Sequence, residues 1–307
     1  MNRRQFLGLA PVLFAGCSRP VPPAPRADRI AREKHLAMLD AYRVPAGSVR
    51  TTPKPDVDPL ARFPELKPLA RIAVRLHPRF GDEPRTDESK LGGAFHWPVA
   101  EPWPQCPEHR LPMVAVLQVR TDDLPPQFPM RPKTDLFQLF WSPRATKAGP
   151  PHVVGVWRAR DGDEPIANPE IPESADLGYV PVACRIFPER STELPPLELM
   201  PESMRRTVAE SQDLELPARG VKFGGWPRVP DRAPKCATCV HPMDYLLSVD
   251  SCEWTAVDAT RWKPMEDADV EGYRRAAGFD FGAPGAAIQV HVCRRCEAWP
   301  LRAAVVS

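Results

Sequence analysis

Residues 106–119, with the sequence CPEHRLPMVAVLQV, recur without gaps as residues 236–249, CATCVHPMDYLLSV. Five of the fourteen aligned positions are identical, among them the first cysteine and the methionine that precedes each apolar run. Similarity between two distant segments of one chain is the signature of an internal repeat. The stretch therefore predicts a domain made of two related halves that share one core.

Further matches follow in the same order on both sides of this stretch. Residues 90–93, Lys-Leu-Gly-Gly, recur as residues 222–225, Lys-Phe-Gly-Gly, and Trp-Pro follows each of them closely. Residues 137–142 can be aligned on residues 288–293. Chance can supply one such match, but several matches in one order favour duplication.

The secondary structure predicted beyond residue 68 is mostly strand. Short runs that alternate or are rich in β-branched and aromatic residues are typical of strands. The strands are predicted at residues 72–76, 113–119, 135–142, 152–159, 180–187, 243–249, 286–293 and 301–306.

Helices are predicted at residues 28–42 and 197–212, and the proline-rich residues 45–68 predict a linker or a wrapped loop. The predicted fold class is α+β and β-rich. We expect a single domain over residues 69–307, with halves of about 69–195 and 196–307.

Composition excludes three classes of protein. Proline accounts for 41 of 307 residues and glycine for 17, and without a glycine at every third position the chain cannot form a collagen triple helix. A net charge of +2 argues against nucleic acid as a partner. Hydrophobic residues make up 43% of the chain, which is too many for a disordered protein.

The N-terminus has the pattern of an export signal. Arg3 and Arg4, followed by Phe6 and Leu7, resemble the twin-arginine signal, and a short apolar run ends in small residues before Cys17. The pattern predicts a signal peptide over residues 1–16.

Residues 13–17 resemble the bacterial lipobox, in which the cysteine, here Cys17, becomes a lipidated N-terminus. We expect an anchor at Cys17 with a proline-rich tether, N-terminal helix and linker over residues 17–68. The expected location is the periplasmic face of the cell envelope, and Ser18 is compatible with transport to the outer membrane. The alternative is an ordinary cleaved signal with an incidental cysteine.

Two Cys-x-x-Cys pairs carry the most specific chemistry. Cys236 and Cys239 form the first pair, and Cys293 and Cys296 form the second. Four thiolates can surround a structural Zn²⁺ ion and leave no open coordination position. Because exported proteins meet an oxidising compartment, two disulfides are the alternative. Export in the folded state by the twin-arginine route favours zinc, which would protect the thiolates.

The first half retains part of the same pattern. Cys106 and His109 have the spacing of the first cysteine pair, but Ser142 and Ala145 stand where the second pair would be. This predicts a degenerate metal site. Separately, the two remaining cysteines, Cys184 and Cys252, are predicted to be buried small apolar residues.

Neither glycine pair, at 92–93 or at 224–225, has the sequence of a P-loop. Tight turns with positive φ are favoured over an anion-binding loop at both places. The chain has no Gly-x-Ser-x-Gly motif and no His-Glu-x-x-His motif. No catalytic residue is therefore predicted.

The glycine pairs with their Trp-Pro dipeptides, and the apolar residues 116–119 followed by Asp122-Asp123-Leu124-Pro125, resemble the YwqG-like family. The second-half block from residue 222 to Cys296 resembles the branch of that family that carries zinc ligands. The resemblance covers about residues 69–307. It implies an α+β fold built by duplication, with no established activity. Relatives often have a cysteine where this chain has Ser142.

The function expected from these features is a non-catalytic binding module at the cell envelope, attached to the membrane through its lipid anchor and held together by zinc. Its ligand would be an unknown protein or another envelope component. One alternative is a hydrolase acting in the cleft between the halves with His96, His109 or His291. Another alternative is an immunity-type inhibitor of a partner protein.

Overall fold

The computed structural model describes residues 49–306, except 56–57, 127, 129, 147–148, 161–167, 210–216, 230–232, 270–275 and 284. The predicted signal peptide, the lipidation site at Cys17, the start of the tether and the predicted helix at 28–42 lie outside the described residues.

The described part of the chain is β-rich, with twelve strands and few, short helices. The strands are β1 Arg71–Arg75, β2 Pro78–Arg79, β3 Lys90–Leu91, β4 Val114–Arg120, β5 Leu136–Trp141, β6 Val153–Arg158, β7 Cys184–Ile186, β8 Glu189–Glu193, β9 Lys222–Gly224, β10 Asp244–Asp250, β11 Ala287–Val292 and β12 Leu301–Val306. The α-helices are α1 Pro59–Arg62, α2 Glu202–Ala209 and α3 Ala259–Trp262. Short 3₁₀ turns cover Pro64–Leu69, Thr121–Asp123, Leu177–Tyr179, Leu197–Leu199, Met265–Asp267 and Ala276–Gly278.

The strands form two antiparallel sheets of six strands each. Sheet 1 has the order β2-β7-β3-β4-β5-β6, and sheet 2 has the order β12-β11-β10-β9-β1-β8. The chain crosses between the sheets twice, from β1 to β2 and from β7 to β8. In sheet 1 the neighbouring strands β3 to β6 also follow one another along the chain, and in sheet 2 the same holds for β9 to β12. The strands that flank the two crossovers complete the sheets, β2 and β7 in sheet 1 and β1 and β8 in sheet 2.

A single apolar core lies between the two sheets. It includes Leu117 and Phe137 from sheet 1 together with Phe223 and Val290 from sheet 2, all of them fully buried. The rings of Phe137 and Phe223 meet edge to face with their centroids 5.5 Å apart, a favoured geometry for aromatic pairs. The strands are mostly apolar because their inner faces line this core.

All eight predicted strand regions contain a strand, and the prediction for residues 301–306 matches β12 at both ends. The prediction missed β2, β3 and β9, which are too short to show a period, and β8, which is polar because it lies at the edge of sheet 2. The predicted helix at 197–212 is instead a 3₁₀ turn followed by α2. Pro201 separates the two elements, since proline cannot donate the hydrogen bond of a helix interior.

Residues 58–69, part of the predicted linker or wrapped loop, pack against the domain. Phe63 and Leu66 are buried there with Leu194, Met200 and Val208. Proline at the start of α1 and again at the start of the following 3₁₀ turn suits the first position of a helix. The proline-rich composition obscured these turns in the sequence.

Candidate metal centre

The first cysteine pair lies in a tight turn that leads into β10. The backbone N–H of Cys236 donates to the carbonyl oxygen of His241 at 2.8 Å, and the N–H of Val240 donates to the carbonyl oxygen of Cys236 at 2.9 Å. Val240 has a φ of +62°, an uncommon conformation for a β-branched residue. The turn directs both sulfurs to one side of the chain.

The second pair lies in the loop that connects β11 to β12. The N–H of Cys293 donates to the carbonyl oxygen of Pro300 at 3.0 Å, and the N–H of Trp299 donates to the carbonyl oxygen of Cys296 at 3.0 Å. Trp299 also has a positive φ, of +47°. In both turns the N–H of the first cysteine thus donates to the carbonyl oxygen of a residue beyond the second cysteine, but the second turn is two residues longer.

Strand register brings the two turns together across 53 intervening residues. In the antiparallel pair β10–β11, Asp244 is paired with Val292. The first turn ends just before Asp244 and the second begins just after Val292, so both lie at one end of the sheet. The four predicted cysteines form one cluster, with all Sγ atoms within 4.8 Å of one another.

Individual sulfur separations distinguish thiols from disulfides. The distance is 3.8 Å between the Sγ atoms of Cys236 and Cys296, and 3.4 Å between those of Cys239 and Cys293. A disulfide has a sulfur–sulfur distance of about 2.05 Å. All seven cysteines in the described part of the chain are free. The structure therefore contains none of the disulfides considered as the alternative.

Hydrogen bonds from the backbone favour ionisation of one thiol of the cluster, whereas burial and the neighbouring sulfurs oppose ionisation of another. The pKa of Cys236 is lowered to about 6, chiefly because the backbone N–H of Cys239 donates to it. The pKa of Cys296 is raised to about 12 by burial and by the sulfurs beside it. Four adjacent thiolates repel one another unless a cation lies between them.

Basic residues lie beside the cysteine pairs in the sequence, namely Lys235, Arg294 and Arg295. A cation at these positions can partly offset the charge of thiolates. In the structure, Arg294 donates to the carboxylate of Asp244 at 3.0 Å, and its guanidinium lies over the ring of Trp299, 5.5 Å from the ring centroid. Its charge is therefore shared with a carboxylate next to the first turn.

The first-half counterpart has the turn without the full ligand set. The N–H of Cys106 donates to the carbonyl oxygen of Leu111 at 2.8 Å, and Arg110 has a φ of +56°. The Sγ of Cys106 lies 3.3 Å from Nδ1 of His109. Ser142 is buried, and its hydroxyl donates to the carbonyl oxygen of Arg144. Among the described residues, Cys106 and His109 belong to no group of three or more metal-ligating side chains.

The remaining predicted features have structural surroundings. Cys184 and Cys252 are buried, as expected. Both glycine pairs have positive φ, +58° and +69° at residues 92–93 and +66° and +68° at 224–225, which confirms the predicted positive φ. His96 precedes Trp97 in a loop of the first half, His109 lies in the first-half turn, and His291 is buried in β11. The structure does not place these three histidines in one element or one cluster.

Sequence reasoning missed a set of buried charges at the β1–β2 crossover. His77, which has a φ of +40°, lies in this crossover between Arg75 and Arg79, and all three side chains are about 1% exposed. Their partners include Glu189 and Glu253. A signal was present, because residues 75–79, RLHPR, resemble residues 185–189, RIFPE, of the other crossover.

No protein-family model matches the chain, and no curated protein matches it. The YwqG-like resemblance therefore stays a prediction. No helix in the described part of the chain combines the length and the apolar character needed to cross a membrane.

Proposed function

We propose that Cys236, Cys239, Cys293 and Cys296 hold one structural Zn²⁺ ion. The observation that carries this proposal is the convergence of four sulfurs from two turns, all within 4.8 Å. Four sulfurs at about 2.3 Å from a tetrahedral zinc ion lie about 3.8 Å from one another, close to the separations of 3.4 and 3.8 Å. Four protein ligands leave no position for a substrate, so the ion would stabilise the fold.

We infer that the chain acts as an exported, lipid-anchored binding module of the cell envelope. The support is the N-terminal pattern of Arg3, Arg4 and Cys17 together with a metal site that has no open position. Replacing both arginines by lysine should keep the protein in the cytoplasm, and Cys17→Ser should abolish labelling by a radioactive fatty acid. Unchanged labelling of the Cys17→Ser protein would reject the anchor.

We also propose that the domain arose by duplication, with the second half beginning between β6 and β7, earlier than the boundary near residue 196 that the sequence predicts. The support is a matched strand order, because β3-β4-β5-β6 in sheet 1 corresponds to β9-β10-β11-β12 in sheet 2. Both β4 and β10 have a bulge, after Ala115 and after Tyr245. In this arrangement each half contributes its first strand to the other half's sheet, because β1 lies in sheet 2 and β7 lies in sheet 1. The two crossovers that follow these strands have similar sequences. This arrangement agrees with the YwqG-like resemblance.

Metal analysis of the full-length protein tests the zinc proposal. Protein purified without chelators or oxidants should contain about one zinc per chain, as expected for a four-cysteine site. Cobalt added in place of zinc should give the intense visible absorption of a tetrahedral thiolate complex. Substoichiometric zinc together with four oxidised thiols would contradict the proposal and favour disulfides.

A further inference from the structure

Residues 49–53, which we call the N-terminal strap, cross the domain surface in an extended conformation. Arg50 is 9% and Thr52 is 7% exposed, whereas Val49 is 68% exposed and Thr51 is also exposed. Alternate side chains of an extended chain point to opposite sides. The side chains of Arg50 and Thr52 therefore face the domain, whereas the side chain of Val49 faces solvent.

Thr52 occupies both carboxylate oxygens of Glu189 at the start of β8. Its backbone N–H donates to Oε1 at 2.7 Å, and its hydroxyl donates to Oε2 at 2.7 Å. Burial raises the pKa of Glu189, but the hydrogen bonds from His77 and Thr52 outweigh it and lower the pKa to about 2. Thr52 thus supplies two of the hydrogen bonds that stabilise the charged form of Glu189.

Arg50 makes the second contact, in an acidic pocket two residues away. Its Nε lies 3.4 Å from Oδ1 of Asp267, and its guanidinium lies 5.6 Å from the ring centroid of Phe187. Between the two contacts, the N–H of Thr51 donates to Glu266 at 2.8 Å, and its carbonyl oxygen accepts from the N–H of Met265 at 2.9 Å. The pocket thus recognises both side chains and backbone of an extended chain.

A chain of buried charges joins the two contacts beneath the strap. Nε2 of His77 lies 2.9 Å from Glu189, and its Nδ1 lies 3.7 Å from Glu253. Arg79 pairs with Glu253 at 2.7 Å and also with Asp267. Removing the strap would take two donors from Glu189 and one cation from Asp267. Glu189 would keep His77 and Asp267 would keep Arg79, but each carboxylate would lose part of its hydrogen-bonding or charge complement. Because unmade hydrogen bonds to partly buried charges are costly, the site favours exchange for a similar ligand over remaining empty.

Space for a longer extended chain continues from the strap along β8. A groove of about 690 Å³ is lined by residues 51–55 and 58–60 on one side and by residues 189–192 and 194 on the other. β8 is the edge strand of sheet 2. Among the described residues, no strand pairs with its outer side, and such an edge can accept an extended peptide.

We propose that this site is a recognition site for an extended peptide that carries arginine and, two residues later, threonine, and that residues 49–53 are its internal ligand. A partner protein that presents the same spacing would bind in exchange for the strap. The inference supplies a ligand class for the proposed binding module. It uses none of the zinc ligands, so either proposal can fail without the other.

A labelled synthetic peptide of residues 46–56 tests the proposal on the full-length protein. Wild-type protein should bind it weakly, because its own strap fills the site. A protein carrying both Arg50→Ala and Thr52→Val should bind it roughly tenfold more tightly or better, a change of about 1.4 kcal/mol per tenfold. Adding Glu189→Gln to that protein should remove the gain.

Val49, whose side chain is exposed, provides a control. Val49→Ala in the protein should leave peptide binding at the wild-type level, and Val49→Ala in the peptide should leave its binding to the double variant unchanged. Thr52→Val in the peptide should abolish binding. A double variant with normal circular dichroism and zinc content that fails to bind the peptide would overturn the proposal.

Should the double variant not fold, Thr52→Val alone replaces it, and a smaller gain of binding over wild type is expected. Equal binding by the single variant and by wild type would then overturn the proposal. Normal zinc content in a variant without peptide binding would leave the metal proposal intact.

Discussion

The turn that begins at Cys106 and the turn that begins at Cys236 have nearly the same backbone but different surroundings. In each turn the N–H of the first cysteine donates at 2.8 Å to a carbonyl oxygen five residues later, and the residue before that carbonyl has positive φ. The Cys236 turn supplies two sulfurs of the four-sulfur cluster. The Cys106 turn packs against aromatic rings. The same loop is therefore compatible with two different stabilising environments.

An aromatic cluster can stabilise the Cys106 turn in place of a full set of metal ligands. Cys106 packs among Phe95, Trp97, Met113 and Phe140. The ring of Phe140 meets those of Phe95, Trp97 and Trp103 with centroids 5.2–5.5 Å apart. Beside the Cys236 turn, the buried apolar cluster of the described residues consists of the four cysteines and Met243. In the second half, a metal ion would supply the stability that buried aromatic area supplies in the first.

The largest difference between the two turns should come from Cys236→Ser, the change that corresponds to Cys106→Ser in the first half. Losing one of four ligands should release zinc, and structural zinc sites contribute on the order of 10 kcal/mol in small domains. We expect the free energy of unfolding to fall by at least about 3 kcal/mol, with the C-terminal half unfolding first. Urea unfolding with a parallel zinc assay measures both changes.

Cys106→Ser is the matched control in the first half. The serine hydroxyl would keep His109 as a partner, so we expect a loss of only about 1 kcal/mol, from placing a hydroxyl among apolar groups. Zinc content should not change. Equal losses of stability for the two variants would contradict the proposed difference between the two turns.

The sequence predicted the cysteine site well because its information is local and specific. The Cys-x-x-Cys spacing indicates which cysteines are candidate metal ligands, and the apolar runs beside them place both pairs at strand ends. The register that joins them, Asp244 opposite Val292, was not predictable. It depends on a pairing across more than forty residues, which no local pattern specifies.

The crossovers were missed for a different physical reason. Arg75, His77 and Arg79 are charged or titratable residues, which are almost always exposed unless they are paired. Their partners Glu189 and Glu253 are more than 100 residues away in the sequence. Burial of such residues is decided by the tertiary fold. Only the repeated Arg-x-x-Pro pattern at 75–78 and 185–188 indicated a shared role.

The two lysines that precede the glycine pairs sharpen the comparison of the halves. Lys222 is buried with Glu193, its Nζ 2.6 Å from Oε2. Lys222→Met would leave that carboxylate buried without its cation, and breaking a buried pair in this way costs about 3–5 kcal/mol. Thermal or urea unfolding of the folded variant measures the loss.

Lys90→Met is the corresponding change in the first half. Lys90 is equally buried, but its Nζ donates to the backbone carbonyl of Arg85, and burial lowers its pKa to about 8. Among the described residues, no carboxylate forms a salt bridge with it. We expect a change below about 1 kcal/mol, because removing the lysine also removes the cost of burying its charge. A loss as large as that of Lys222→Met would contradict this difference.

The smallest expected difference concerns the second glycine of each pair. Gly93 and Gly225 have nearly equal φ, +69° and +68°, so Gly→Ala should cost each half about 1–3 kcal/mol in backbone strain. A Cβ at Gly225 would also lie 2.2 Å from Oε2 of Glu193, whereas at Gly93 the nearest atom is Cβ of Ala183 at 3.1 Å. Gly225→Ala should therefore displace the carboxylate that pairs with Lys222 and cost more, by about 1 kcal/mol. Urea unfolding of both variants, alone and combined with Lys222→Met, measures this. The excess should shrink in the Lys222→Met background, and an excess that persists there would assign it to contact with Ala73 instead, 2.8 Å from the same Cβ.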